Sequence, residues 1–346
     1  MSEIEKRKDE HLDVVLSGDA DAKTRASGFD NIWFSHCALP EIDINAVDLS
    51  TELFGKSLAA PLLISSMTGG AQRAVNLNRH IAEACNALGI AFGVGSQRIA
   101  LEGGSSAGFG RELRRLAPDT VILANFGAAQ LQKWDGPEMA CRAVDMIEAD
   151  ALIIHLNPMQ EAVQAGGDTD WTNLLSKIEQ VCRKCSFPVI CKEVGAGLSA
   201  AVATRLVNAG VAAIDVAGLG GTSWVAVEAA RSRDPQQRAI AAPFRDWGIP
   251  TAQAITEIRH ACPDTVLVAS GGLRHGLDCA RSIRLGADIT GLAAGILSNA
   301  VDSTEALIAQ LETIITQLRI ACFCTGSGNL AQLRTAPLVN PPAYVQ

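Results

Sequence analysis

The stretch Ala151-Leu-Ile-Ile-His-Leu-Asn-Pro-Met-Gln-Glu161 is a short apolar run that ends in a polar turn, and the chain repeats this arrangement eight times. The runs are Pro61–Ser65, Ile90–Val94, Val121–Phe126, Ala151–Leu156, Pro188–Glu193, Ala212–Ala217, Thr265–Ser270 and Asp288–Ala293. Each has the form of a parallel strand buried on both faces. Their starts recur roughly every 30 residues with helical periodicity between them, the repeat of a (β/α)8 barrel. The sequence therefore predicts an α/β chain folded as a TIM barrel. An N-terminal extension spans 1–60, the barrel 61–324 and a C-terminal tail 325–346. Such barrels build their active sites at the C-terminal ends of the strands. Here those ends read SSMTGG, GSQR, NFG, HLNPMQE, CKEVG, AGLGGTS, SGGLR and GLAAG, and seven of the eight offer polar groups or glycine-opened backbone to an anionic ligand.

The intervening helices are expected over 76–88, 137–148, 171–184, 200–209, 251–260, 276–285 and 303–320, with a short one over 111–116. The interval Gly218–Ile249 is long for a barrel connection. It reads as a mobile lid or an oligomer contact.

Composition narrows the function. The 346 residues carry a net charge of −8, against a nucleic-acid partner, which calls for basic surface. No apolar run reaches the ~18 residues of a membrane helix. The N-terminal MSEIEKRKDEH lacks the apolar core of a secretory signal. A cytoplasmic protein whose ten cysteines are free thiols is expected. Cys182 and Cys185 form CRKC, but no second pair or suitably spaced histidines complete a metal site, so they read as structural.

The phosphate site is the clearest chemical signal. SGGLR after the seventh run and GLAAG after the eighth occupy the positions where barrels bind phosphate on backbone N–H groups and a helix N-terminus. Gly271 and Gly272 open the backbone, Ala293 and Ala294 are small, and Arg274 adds charge. After the second run, Ser96, Gln97 and Arg98 present a hydroxyl, an amide and a cation; Arg98 reads equally as an oxyanion ligand or as an ion-pair partner. His155, Asn157, Gln160 and Glu161 follow one another at the fourth strand end. Glu161 suits a hard cation such as Mg2+ that bridges one carboxylate and substrate phosphates. Lys192 lies in an otherwise apolar run, where a cation is costly unless it is paired or functional.

Taken together, RKDEHL at 7–12, SSMTGG at 65–70, GSQR at 95–98, HLNPMQE at 155–161, GGTSW at 220–224, SGGLR at 270–274 and TGSGNLAQLRTAPL at 325–338 make the chain resemble the FMN-dependent (type 2) isopentenyl-diphosphate delta-isomerases over nearly its whole length. The resemblance implies interconversion of isopentenyl and dimethylallyl diphosphate, using reduced FMN and Mg2+, with NADPH as reductant. It implies a homo-oligomer, tetramer or octamer. Carried over by motif, Ser65, Ser66, Met67, Thr68, Ser96, Asn125, Lys192 and Thr222 would contact the flavin, and Gly271, Gly272, Arg274, Ala293 and Ala294 its phosphate. Arg7, Lys8, His11, Ser96, Gln97, Arg98, His155, Asn157 and Gln160 would surround the substrate, and Glu161 would bind the metal. Proton transfer falls to reduced flavin at N5, with Gln160, His155 and Lys192 as the candidate catalytic side chains. The tail departs from the family pattern at Asn329, where an acidic residue is usual. An FMN-dependent 2-hydroxy-acid oxidase on the same barrel is the alternative.

Overall fold

The structure, a computed structural model, describes residues 3–18, 20, 27–67 and 71–340. Eight parallel strands close into a barrel: β1 Leu62–Ile64, β2 Ala91–Gly93, β3 Ile122–Gly127, β4 Ala151–Leu156, β5 Val189–Glu193, β6 Ala213–Asp215, β7 Val266–Ala269 and β8 Ile289–Leu292. Each pairs with its sequence neighbours, and β8 closes on β1. All eight expected strands are present, most of them trimmed by a residue or two. Side chains that point inward from them, including Leu63, Leu123, Ile153, Ile190, Val268 and Ile289, fill the barrel. The hairpin of Thr51–Leu53 and Lys56–Leu58 plugs one end with Leu53 and Leu58, which belong to that same cluster. A larger apolar layer lies between the strands and the surrounding helices.

One structural device occurs twice. Arg114 and Arg259 begin matching segments, Arg-x-x-x-Pro-Asp-Thr-Val. Each guanidinium donates to the carbonyl of its threonine, Thr120 at 2.8 Å and Thr265 at 3.0 Å. Each also grips the aspartate that precedes the next strand, Asp150 at 2.8 Å and Asp288 at 2.6 Å. Those carboxylates in turn accept the N–H of Ile122 and Leu267 at the starts of β3 and β7. The two clamps lie at the strand starts, away from the rim where ligands bind.

Three expectations need correction. Gly218–Ile249 is not a structureless loop: it contains the helices Trp224–Arg231 and Pro235–Ala241, capped by the Ser223 and Asp234 side chains. The basic N-terminal segment is a helix, Glu3–Leu16, to which the sequence reading assigned no secondary structure. Helix Thr304–Cys324 is long and apolar enough by composition to cross a membrane, with mean hydropathy 1.4. Its Leu307, Leu311, Ile314 and Leu318 instead form a buried stripe, and the helix packs against Ala71–Leu88 and Gly276–Leu285.

The tail returns to the N-terminal extension of the same chain, where Leu338–Val339 pairs with Trp33–Phe34. Asn329 caps the short helix Leu330–Leu333 by accepting from Gln332 N at 2.9 Å, a role a carboxylate fills equally well.

Truncating either clamp arginine strips several carbonyls of a donor and removes one of the two cations on its aspartate, since Lys56 stays on Asp150 and Arg334 on Asp288. Arg259→Ala should cost about 2 kcal/mol and lower the melting temperature by several degrees. The Arg114→Ala loss should add to it, since the sites share no partner. Thermal melts of the single and double variants check this.

Candidate active site

Three segments distant in sequence converge over the barrel rim. Helix Glu3–Leu16 brings Arg7, Lys8 and His11. The end of β4 brings His155, Asn157, Gln160 and Glu161. Helix Trp224–Arg231 brings Trp224 and Glu228. The buried Glu228 carboxylate joins them, accepting from His11 Nε2 at 2.9 Å, Gln160 Nε2 at 3.1 Å and Arg231 Nη1 at 2.7 Å. Burial pushes Glu228 up, yet the His11 bond, Gln160 and Arg231 hold it below the usual carboxylate range. His11 is correspondingly lowered, chiefly by burial, and its ring meets Trp224 edge-on with centroids 5.1 Å apart. Lys8 Nζ donates to Ser96 O at 3.0 Å, drawing the N-terminal helix onto the end of β2.

His155 is fixed in one tautomer. Asn125 Nδ2 donates to Val94 O, which turns its Oδ1 to the ring; His155 Nδ1 donates to that oxygen at 2.8 Å. Nε2 is left as an acceptor. Burial, then the charges of Lys192 and Lys8, lower the ring's pKa to about 3, so it is neutral at physiological pH. Gly127 makes room for it, because a methyl group there would lie 2.8 Å from Nε2.

Two cavities adjoin. The smaller, ≈ 130 Å³, is lined by Arg7, Lys8, His11, Ser96, Arg98, Asn125, His155, Asn157, Gln160, Glu161 and Trp224. The larger, ≈ 450 Å³, runs along Ser65, Ser66, the 217–222 and 270–274 loops and Ala293–Gly295. Ser66, Met67, Lys192, Val194 and Trp224 border both.

The larger cavity fits FMN. Ser65 Oγ and Ser66 Oγ are buried without a partner, as two groups awaiting a ligand would be. Helix Ala294–Asp302 opens on the cavity without a side-chain cap, leaving its first N–H groups for a phosphate. Gly271, at φ +105°, lets the seventh loop pass directly against Gly218, where any Cβ would strike the Gly218 backbone.

For a divalent cation, Glu161 accepts from Asn157 Nδ2 at 3.0 Å and from Asp168 N at 2.7 Å, and the buried Asn157 Oδ1 has no partner. Among the described residues no cluster of three or more His, Cys, Asp or Glu would hold a metal alone. The donor set suits a hard cation that keeps its waters and bridges to substrate phosphates.

Most expected residues meet here, with exceptions. Gln97 does not line the cavities. It is fully buried, its Oε1 accepting from Asn125 N at 2.9 Å and its Nε2 donating to Ala143 O at 2.9 Å, so its amide is spent on joining the end of β2 to β3 and to helix Gly136–Ile147. Asn125 and Ser96 border the smaller cavity alone. Thr68 lies outside the described residues. Arg98 is ion-paired to Asp168 at 3.1 Å and to Glu102 at 3.2 Å, the second of its two readings, and it also lines the smaller cavity. Trp224, Glu228 and Asp215 were not singled out from the sequence.

The neutral His155 gives a pH signature. Its folded pKa lies below the unfolded value of ~6.5, so its stabilisation is complete above that pH and is lost as pH falls toward 3. His155→Asn should remove up to about 1.4 kcal/mol per pH unit from the stability loss below pH ~6. Urea unfolding of both proteins at pH 7 and pH 4.5 measures it.

The family model described as FMN-dependent dehydrogenase matches residues 4–102 and 122–340. A protein named isopentenyl-diphosphate delta-isomerase from Stutzerimonas stutzeri (strain A1501) is 59% identical over 333 residues, 96% of this chain and 96% of its own. A protein of the same name from Xanthobacter autotrophicus (strain ATCC BAA-1158 / Py2) is 56% identical over 96% of this chain and 97% of its own. Among solved structures, mandelate oxidase with (S)-2-phenylpropionate superposes with TM-score 0.67 at 16% identity, over 97% of both chains. That likeness shows the barrel alone. With the cavity shaped for FMN and these relatives along the whole chain, the protein belongs to the FMN-dependent isopentenyl-diphosphate delta-isomerases.

Proposed function

We propose that the chain interconverts isopentenyl diphosphate and dimethylallyl diphosphate, with reduced FMN, Mg2+ and NADPH as the source of reducing electrons. The carrying observation is the small cavity, rich in cations and fixed amides, set directly against the long cavity that fits FMN. The substrate alkene is unactivated, and protonating its terminal carbon creates tertiary cation character. That calls for a well-placed acid and a site closed to water. Reduced FMN, when bound, supplies the acid and base for the two proton transfers.

The chain's residues do the remainder. Arg7, Lys8 and Arg98 bind the diphosphate, and Glu161 with Asn157 holds Mg2+ against it. His155, being neutral, adds an acceptor and no charge. Gln160 is held by Asn157 Nδ2 at 3.1 Å and by Glu228 at 3.1 Å. An amide is too weak an acid or base to lead the chemistry, so Gln160 orients the reacting end. Trp224 and Met67 wall that end from water, and the indole face favours developing positive charge. Lys192, between the cavities, balances negative charge on the reduced ring.

The protein works in the cytoplasm as a homo-oligomer, tetramer or octamer. Exposed Ile240, Phe244 and Trp247 form an apolar patch that such assembly would cover.

An anaerobic assay with isopentenyl diphosphate, omitting each cofactor in turn, tests the reading. Dimethylallyl diphosphate should form only with reduced FMN and Mg2+, without stoichiometric NADPH use. Bound, reducible FMN with no product, and bleaching of the flavin by a 2-hydroxy acid, would turn the reading to the oxidase. Arg7→Ala should raise KM on the order of tenfold or more, by loss of a charge-assisted hydrogen bond. FMN binding should be unchanged, and an unaltered KM would remove Arg7 from the substrate site.

A further inference from the structure

Asp215 ends β6 and has no part in the mechanism above. It is 1% exposed. Its Oδ1 accepts from Ser270 Oγ at 2.5 Å and from Ala217 N at 3.3 Å, but its Oδ2 has no hydrogen-bond partner. An ionised carboxylate buried with a bare oxygen is costly, and such groups call for an explanation. Lys192 is its register partner on the adjacent parallel strand β5. Partners in register present their side chains to one face of the sheet. The Lys192 ammonium donates to Glu193 O at 2.7 Å, and the structure shows no ion pair between it and Asp215. An ammonium has three donors. Lys192 also borders both cavities, so its charge reaches the place where the flavin ring would lie.

The charges around Asp215 are few. From β5 Lys192 acts on it, from the end of β7 the Ser270 hydroxyl, and from its own strand end the Ala217 N–H. Glu193 alternates to the other face and spends Oε2 on the N–H groups of Val194, Gly195, Ala196 and Gly197. His155, in register with Lys192 on the far side, titrates only near pH 3. Burial pushes Asp215 above the ordinary carboxylate range while Lys192 and Ser270 pull it down. Its protonation therefore answers to any further charge placed beside Lys192.

We propose that Asp215 is a positioning residue acting through Lys192, ionised while the flavin is oxidised and taking up a proton when the flavin is reduced. The balance is explicit. The oxidised ring gains two electrons and one proton, delivered as hydride by a reduced nicotinamide or taken separately from an electrode mediator and solvent, becoming anionic. The Asp215 carboxylate gains a second proton, from solvent, on Oδ2. In the oxidised state Asp215 neutralises Lys192, and in the reduced state the ring does. The buried trio then carries no net charge in either state, which avoids the heavy cost of isolating a charge in the interior. This rests on the FMN site and not on which substrate is turned over.

The test is the midpoint potential of FMN-loaded protein between pH 5.5 and 9, by spectroelectrochemistry without substrate. Asp215→Asn is the variant, since its amide oxygen still accepts from Ser270 and Ala217. Wild type should show a stretch of pH in which potential falls with the slope of two protons per two electrons. D215N should keep the one-proton slope there, lie at more positive potential at the alkaline end, and converge with wild type at the acid end. Two parallel or coincident lines would overturn the proposal, because a merely structural role shifts the potential equally at every pH. On a Lys192→Met background D215N should change the pH profile far less, and an undiminished change would overturn the route through Lys192. Should D215N lose FMN, Ser270→Ala serves instead. Removing that hydroxyl weakens the ionised form and should move the steep region to higher pH, and an unmoved region would overturn the proposal. A wild-type chain that takes up no FMN would overturn the cofactor reading and this proposal together. Bound FMN with no isomerase activity would overturn the functional reading alone.

Discussion

The Glu228 carboxylate is the point at which the site is assembled. It is buried and ionised, and its lone pairs are shared among His11, Gln160 and Arg231. A buried charge of this kind is stable only while its donors stay in place, since removing one leaves the rest uncompensated. Among its described side chains the N-terminal helix packs Leu12 and Val15 against the apolar core. Its docking rests on His11 against Glu228 and Trp224, on Lys8 at Ser96 O, and on Glu10 against Arg231 at 3.0 Å. The same carboxylate orients Gln160, so the placing of Arg7 and Lys8 is coupled to that of Gln160, which in the proposed reaction would couple diphosphate binding to alignment of the reacting end.

The strand geometry sets where charge lies at the rim. Successive residues on a strand face opposite ways. Lys192 therefore turns inward between the cavities while its neighbour Glu193 turns out to four backbone N–H groups of the following loop. One oppositely charged dipeptide thus serves two purposes: its carboxylate shapes the fifth loop, and its ammonium faces the ligands. Had register slipped by one residue, the carboxylate would face the flavin cavity and repel both the phosphate and the reduced ring.

The barrel was legible because its signal is repetitive: apolar runs at regular spacing leave few other folds. Strand ends were overextended where the chain leaves the ladder early, as at Ala217, whose N–H bonds back to Asp215 and whose φ is +36°. The glycine turn after β7 was legible because Gly271 and Gly272 are demanded by contact with the backbone of Gly218 and Gly220. The N-terminal helix was not, since an apolar stripe is the cue for a helix and this one turns a polar face to a polar cavity. Trp224 and Glu228 were hidden by reading their segment as a loop, although Ser223 as a cap and their i, i+4 spacing were visible signals. Asp215 carried the same mark as Lys192, a charge inside an apolar run. Gln97 shows the opposite limit: residue type at a strand end does not reveal whether a side chain faces the ligand or ties two strands together behind it.

The barrel shared with mandelate oxidase does not by itself decide the chemistry, and the state of His155 bears on it. Oxidising a hydroxy acid needs a base beside the flavin able to take a proton at neutral pH. His155 is a poor candidate for that task. Its proton sits on Nδ1, directed to Asn125 Oδ1, and burial with two nearby ammonium groups holds its conjugate acid near pKa 3. The lysines that depress it, Lys8 and Lys192, are the cations that the proposed reaction would set against the diphosphate and the reduced ring. In the proposed reaction, cations suited to an anionic substrate over an anionic flavin would thus also keep this histidine from acting as a base.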